Sequence, residues 1–341
     1  MPIRVAINGF GRIGRNTFKA GFGHSELEFV AINDPSEPET LVHLLKYDSV
    51  FRTWNHDVSH EGNELIIDGK RIALSAERDP ALLQWKKYNV DVVLECTGRF
   101  TNKEDATKHL TAGAKRVVVS APVKGGVPTY VFGANAQDYK GEDLINNASC
   151  TTNCIAPVAS IMVEKFGVQK AIMSTIHAVT AEQNLVDGAP PGGKKGDMRR
   201  ARAAYASIIP TTTGGAIATA EAIPELKGLF DGIAFRVPVM DVSLTDFVFL
   251  LKKKTTVEEI NTTLSEAATQ ARYKGILGVT TEQLVSSDFI GSSYSSIVDL
   301  SLTKVIDGDL VKIIAWYDNE WGYSCRLAEM AVLVGKGLYP M

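Results

Sequence analysis

Eight residues constrain this chain more than any others: Asn8-Gly9-Phe10-Gly11-Arg12-Ile13-Gly14-Arg15. They separate a β-branched apolar run at residues 4–8 from a helical stretch near 14–22. In that position G-x-G-x-x-G has a physical reading. Gly9 takes a tight turn, Gly11 lets backbone approach a pyrophosphate, and Gly14 permits close helix–strand packing. The helix N-terminus then receives the negative charge. Gly-rich turns are common, so the pattern gains its weight from context. A second strand-like run at 27–33 ends at Asp34, 20 residues after Gly14. An acid at that spacing accepts from adenine ribose hydroxyls and repels a 2′-phosphate, which predicts NAD over NADP. Taken alone, Asp34-Pro35 would also serve to open a turn.

Strand-like and helix-like patterns alternate through the first part. Apolar runs at 90–95, 115–120 and 129–132 continue the series, with a helical stretch at 103–110 and Gly113 as its stop. Such alternation predicts a doubly wound parallel sheet with helices on both faces. Asp68-Gly69 centres a hairpin at 65–74. Beyond Thr151 the pattern changes. Runs at 170–179, 233–252, 295–305 and 310–317 are strand-like, and Asp307-Gly308 joins the last two. Thr256-Val257-Glu258-Glu259 has a capping-box pattern. The expectation is an α/β chain: a dinucleotide-binding domain over 1–150, then an α+β domain from 151 with a mostly antiparallel sheet covered on one face.

With 341 residues, 45% hydrophobic and 22% charged, the chain can bury two ordinary cores. A net charge of -3 gives no general attraction to nucleic acid or anionic membrane. One local basic cluster, Lys194-Lys195 with Arg199-Arg200-Arg202, remains a phosphate-binding possibility. The chain enters a strand at once, without a charged and then apolar leader, and no apolar segment is long enough to span a bilayer. The cytoplasm is the expected compartment. The four cysteines (Cys96, Cys150, Cys154 and Cys325) match no disulfide framework or zinc spacing, so reduced thiols and no metal are expected.

The chemistry points to Ala148-Ser149-Cys150-Thr151-Thr152-Asn153-Cys154. The thiol of Cys150 precedes an apolar helical run and so falls near a helix N-terminus. There, amide groups and the macrodipole favour a thiolate. A strand at 170–179 places Thr175, His177 and Val179 on one face. A lone strand histidine is ordinarily a satisfied core residue, and His24, His43, His56, His60 and His109 carry only that reading.

The Ser149–Asn153 segment, the strand bearing His177, and Trp316-Tyr317-Asp318-Asn319-Glu320-Trp321-Gly322-Tyr323 together resemble the phosphorylating glyceraldehyde-3-phosphate dehydrogenases. The resemblance runs from the Gly-rich turn to the last helix. It implies that His177 activates Cys150, which forms a hemithioacetal with glyceraldehyde 3-phosphate and then a thioester cleaved by inorganic phosphate. Arg236 and Thr180 would hold the substrate phosphate. Ser149, Thr151, Thr213 and Gly214 would hold the attacking phosphate, with Arg200 supporting one of the two anions. Arg12, Ile13, Arg78 and Ser120 would lie near NAD, and Asn319 would hold its carboxamide. It also implies a homotetramer and a C-terminal helix, 319–341, that completes the 1–150 domain beside a catalytic domain of 151–318.

Two segments depart from the family pattern: Phe51-Arg52-Thr53-Trp54, and the Gly/Lys-rich loop 188–196. Two alternatives stand beside this reading. One is an erythrose-4-phosphate dehydrogenase. The other is a non-catalytic nucleotide-binding interaction protein that keeps the fold.

Overall fold

A computed structural model describes residues 1–191 and 196–337; Lys194 and Lys195 lie outside the described residues. The chain forms two compact units. One comprises Met1–Tyr130, Ala136–Ala148 and Ser324–Met341, the other Val131–Asn135 and Ser149–Tyr323.

The first unit contains β1 (Ile3–Asn8), α1 (Arg12–Gly21), β2 (Leu27–Asn33), α2 (Pro38–Lys46), β3 (Tyr47–Asp48), β4 (Arg52–Thr53), β5 (Val58–Glu61), β6 (Glu64–Ile67), β7 (Lys70–Ser75), β8 (Val92–Glu95), α3 (Lys103–Thr111), β9 (Arg116–Val119) and β10 (Leu144–Asn146). Its main sheet runs β10-β9-β8-β1-β2-β7-β6-β5. From β10 to β7 every pairing is parallel. Strands β1, β2 and β8 are nearly continuously buried, as expected when a parallel sheet is covered on both faces. The chain winds outward from β1 to β2 and then crosses to β8 on the other side. The carboxyl ends of β1 and β8 therefore flank a topological switch point, where open α/β sheets bind ligands.

Local chemistry sets the turns. Asp68 and Gly69 take φ of 48° and 80°, the paired left-handed geometry of a two-residue hairpin turn between β6 and β7. The expected strand at 129–132 does not form. Thr129 makes one isolated bridge to Asn146, and β10 supplies the sheet edge instead. Pro128 has no N–H to donate, and Gly133, at φ 79°, turns the chain away. The unusual segment 51–54 buttresses α1. Arg52 and Thr53 pair with β3, and the Trp54 ring packs 5.3 Å from Phe22 and 6.0 Å from Phe18.

The second unit contains α4 (Cys150–Phe166), β11 (Val168–His177), β12 (Ile209–Thr212), α5 (Gly215–Ala222), β13 (Phe230–Arg236), β14 (Ser243–Leu251), α6 (Val257–Thr269), β15 (Leu277–Thr280), β16 (Ser296–Asp299), β17 (Lys304–Ile306) and β18 (Leu310–Tyr317). The sheet order is β12-β13-β11-β14-β18-β16-β15, with β17 on β18. Only β11–β13 and β15–β16 are parallel pairs among those described. The long run expected at 233–252 is two strands, separated by a connection in which Val242 takes φ 68°. Strand β14 alternates without a break. Ser243, Thr245, Phe247, Phe249 and Leu251 are buried, and the residues between them face the other way. Helix α4 packs on the sheet at β11, β14, β16 and β18. Thr256 caps α6, accepting from Glu259 N at 3.2 Å. Helix α7 (Trp321–Lys336) groups with the first unit from Ser324 onward, and a Cβ on Gly335 would lie 2.6 Å from the Ile3 side chain.

Candidate active site and dinucleotide cleft

Ser149 is the N-cap of α4, and its Oγ accepts from Thr152 N at 3.2 Å. The cap fixes where the helix begins and makes Cys150 its first residue. His177 ends β11 with its Nε2 3.5 Å from Cys150 Sγ. Its Nδ1 lies 2.7 Å from both Ala178 O and an Arg236 guanidinium nitrogen. With its proton on Nδ1 donated to Ala178 O, the imidazole offers Nε2 as acceptor for the thiol proton. With its proton on Nε2, it accepts from Arg236 and donates toward sulfur or a neighbouring oxyanion. The site supports both tautomers.

Electrostatics here run against the simple expectation of a depressed thiol. Burial pushes Cys150 up, while the Arg236 charge and hydrogen bonds at Thr151 pull it back. Burial, and then the Arg236 charge, bring His177 down to about 3. Neither group charges readily alone. Proton transfer from Sγ to Nε2 creates both charges together at contact distance, where their attraction offsets much of the desolvation. Cys154, one turn along α4, is different. Its Sγ lies 3.6 Å from Ser296 Oγ, and burial raises it to about 12. All four cysteines are free.

The expected phosphate ligands fall into two groups. Thr213 and Gly214 lead into α5, and Thr213 Oγ1 accepts from Gly215 N at 3.1 Å. A Cβ on Gly215 would sit 3.0 Å from the Thr151 side chain, so this turn abuts the first turn of α4. Arg236, Arg200 and Thr180 form the other group, around Glu182. Arg200 pairs with Glu182, whose Oε1 is 4.0 Å from Arg236 and 3.5 Å from Thr180 Oγ1. Burial lowers both arginines, and the Arg236 charge lowers Arg200 further. The basic cluster expected near residue 200 is balanced by acids: Arg199 pairs with Asp197 and Arg202 with Asp187. Asn319 is buried and accepts from Ser243 Oγ at 2.7 Å, while that oxygen accepts from Ala178 N at 3.0 Å. Asn319 and the backbone after His177 are thus tied through one hydroxyl.

Sequence reasoning passed over two members of this site. The Tyr317 hydroxyl lies 3.1 Å from Thr151 Oγ1 and 2.8 Å from Thr175 Oγ1, and its ring packs edge-on to His177. Its partners are more than a hundred residues away, beyond any local pattern. Glu182 carried no motif at all.

In the first unit, Gly9, Gly11, Asp34 and Arg78 line a cleft of about 440 Å³. Gly9 takes φ 92°, and a Cβ there would lie 2.7 Å from Thr97 N. A Cβ on Gly14 would lie 2.1 Å from Gly9 O. Only glycine satisfies either position. Asp34 opens a turn, its Oδ1 accepting from Ser36 N, and its Oδ2 accepts from Phe10 N at 2.8 Å, which ties it to the Gly-rich turn. No side chain caps α1 at Gly11, so its N-terminal amides suit an anion. Ile13 lies in that first turn. The Arg12 guanidinium is engaged by Asp48 at 2.6 Å and stacks over Phe51, which ties it to β3 rather than to the cleft. Ser120 follows β9, with its N–H on Glu95 O.

Among the described residues no group of three or more His, Cys, Asp or Glu side chains is placed to hold a metal, and no helix is long and apolar enough to cross a membrane. Residues 3–103 match the family domain described as "Glyceraldehyde 3-phosphate dehydrogenase, NAD binding domain", and residues 149–319 match its "C-terminal domain". The chain is 50% identical to glyceraldehyde-3-phosphate dehydrogenase of Geobacillus stearothermophilus, over 99% of this chain and 100% of that one. It is also 50% identical to the Zymomonas mobilis enzyme of that name, with the same coverage. Against glyceraldehyde-3-phosphate dehydrogenase 1 of Bacillus subtilis it is 48% identical over 98% of its length and 99% of the relative's. With its thiol, histidine and dinucleotide cleft in place, this chain belongs to the glyceraldehyde-3-phosphate dehydrogenase family.

Proposed function

We propose that the protein oxidises glyceraldehyde 3-phosphate with NAD and inorganic phosphate, giving 1,3-bisphosphoglycerate. The observation that carries this reading is the Cys150–His177 pair at the capped start of α4, 3.5 Å from Sγ to Nε2. His177 takes the thiol proton, and sulfur adds to the aldehyde carbon. The resulting oxyanion takes hydrogen bonds from Nε2–H and the amides of the first turn of α4. Loss of hydride from that carbon leaves a thioester on Cys150. A phosphate oxygen attacks the acyl carbon, the C–S bond breaks, and the thiolate recovers its proton from His177 as the acyl phosphate leaves.

NAD, when bound, accepts the hydride. The residues present fit that group: Gly9 holds the turn tight against Thr97, Gly11 leaves open space where its Cβ would stand, the uncapped α1 N-terminus suits an anion, and Asp34 suits a ribose diol. Asn319, held by Ser243, is our candidate for the carboxamide. Arg236 and Thr180 are assigned to the substrate phosphate, Ser149, Thr151, Thr213 and Gly214 to the attacking one. Arg200 and Glu182 complete the first group as a guanidinium and its counter-ion.

The second unit's sheet supports a homotetramer. Ile172 and Ile233 stand exposed on its strands β11 and β13, and Ile217 on helix α5, apolar surface of the kind that marks association. We place the enzyme in the cytoplasm.

Initial rates of cofactor reduction test the reading. Phosphate-dependent turnover of glyceraldehyde 3-phosphate with NAD, and much slower turnover with NADP, is the expected result. Preference for erythrose 4-phosphate, or no turnover of either aldehyde, would overturn it.

A further inference from the structure

Beneath the cleft of the first unit runs a buried chain of polar side chains that the mechanism leaves unused. Trp85, Asn8, Glu95 and His109 are each at most 1% exposed. Trp85 Nε1–H donates to His109 Nδ1 at 3.0 Å. An indole nitrogen only donates, so His109 accepts at Nδ1 and carries its proton on Nε2. That proton meets Glu95 Oε2 at 3.0 Å. The same oxygen accepts from Asn8 Nδ2 at 2.6 Å, and Oε1 accepts from Thr97 N at 2.8 Å and from the Thr97 hydroxyl. Asn8 Oδ1 in turn accepts from Asn33 Nδ2 at 2.7 Å. Asn33 Oδ1 accepts from Glu77 N at 2.9 Å, and its amide also donates to Glu77 O at 2.8 Å.

Both ends of this chain are groups that cannot reverse: an indole N–H at one end, a peptide unit at the other. Every donor and acceptor between them is therefore fixed in sense. Glu95 sits at the centre with donors on both oxygens, a place only a carboxylate satisfies. The chain also joins the strand ends that make the cleft floor. Asn8 ends β1, Asn33 ends β2, Glu77 follows β7 and precedes Arg78, and Thr97 follows β8. Gly9 packs against Thr97 with no room for a methyl group, so a displacement of Asn8 or Thr97 passes directly into the turn.

We propose that the Trp85–His109–Glu95–Asn8–Asn33 network sets the geometry of the dinucleotide cleft, with Glu95 and His109 as positioning residues for the cofactor. The inference rests on the reading of the cleft as an NAD site. It distinguishes these residues from ordinary core polar groups, whose loss lowers stability but leaves the affinity of the folded protein unchanged.

The test is NAD affinity, measured directly by titration calorimetry, with Tm and steady-state constants recorded on the same preparations. His109→Leu removes the donor to Glu95. Glu95→Gln sets an amide against several donors. His109→Gln keeps an N–H near the position of Nε2. His109→Leu and Glu95→Gln are expected to weaken NAD binding about tenfold or more, the effect of one unsatisfied buried donor. At saturating NAD, kcat should stay within about threefold, and His109→Gln should recover most of the affinity. If a variant does not fold, Trp85→Phe, which deletes only the terminal donor, should show the same KM-against-kcat split in milder form. Unchanged NAD affinity with a lowered Tm would overturn the proposal, as would a fall in kcat with KM for NAD unaltered. Failure of the unsubstituted protein to bind NAD would overturn the cleft reading along with it.

Discussion

At the scale of single residues, the site turns on how two buried groups share one proton. Arg236 stabilises negative charge on Cys150 and opposes positive charge on His177. Removing it therefore raises both. In Arg236→Leu, the pH profile of Cys150 alkylation should move to higher pH, because the thiolate loses the guanidinium charge that stabilises it. KM for the phosphorylated aldehyde should rise in the same variant. His177→Asn removes the proton acceptor, and kcat should fall about 10²- to 10⁴-fold, the usual scale of general acid–base help. Alkylation rates measured from pH 5 to 10 check both sulfur effects. An unshifted profile in Arg236→Leu would show that the guanidinium does not act on the sulfur. The pairing of Cys150 with His177 was legible from motif resemblance, because each carries a local signature. Tyr317 was not legible, since its hydroxyl is defined by Thr151 and Thr175, which only the fold brings together. Glu182 was hidden for a related reason: a carboxylate acquires meaning here only from the arginines that surround it.

At the scale of elements, backbone geometry carries the function. Gly14→Val would press its side chain into Gly9 O, where even a Cβ lies 2.1 Å away. The expected outcome is loss of NAD binding while Cys150 still reacts with alkylating reagents, since thiol and turn lie in different units. Calorimetry and alkylation on one sample check this. Thr256→Ala deletes the cap of α6 and should cost about 1 kcal/mol of stability without altering kcat, readable as a shift in denaturant midpoint. Turns were the most legible elements. Asp68-Gly69 and Asp307-Gly308 both adopt the paired positive φ that their chemistry demands. Strand ends were less legible. The run at 129–132 has strand composition, but Pro128 and Gly133 limit it to one bridge, and the run at 233–252 hides a turn at Val242 because its apolar pattern continues through the break.

At the scale of the whole molecule, the open face of the second unit's sheet sets the expectation. Ile172 is 58% exposed there, an unusual place for a large aliphatic side chain. Light scattering should give four times the 36.9 kDa chain mass. Ile172→Glu should lower that mass while leaving the far-ultraviolet circular dichroism intact. A monomer in the unsubstituted protein would contradict the oligomer proposal. Sheet identities were readable from alternation against continuous burial, but the parallel pairing of β11 with β13 was not. That pairing depends on a crossover through β12 and α5, which no local period reports.

The central claim is a covalent thioester on Cys150 that waits for phosphate, and a rapid-mixing experiment addresses it most directly. Enzyme, NAD and glyceraldehyde 3-phosphate are mixed without phosphate, and reduced cofactor is followed by absorbance. The account predicts a burst close to one equivalent per Cys150, then a stall, with turnover resuming when phosphate is added and no burst from Cys150→Ser. Steady cofactor reduction without phosphate, or a burst that survives in Cys150→Ser, would contradict it.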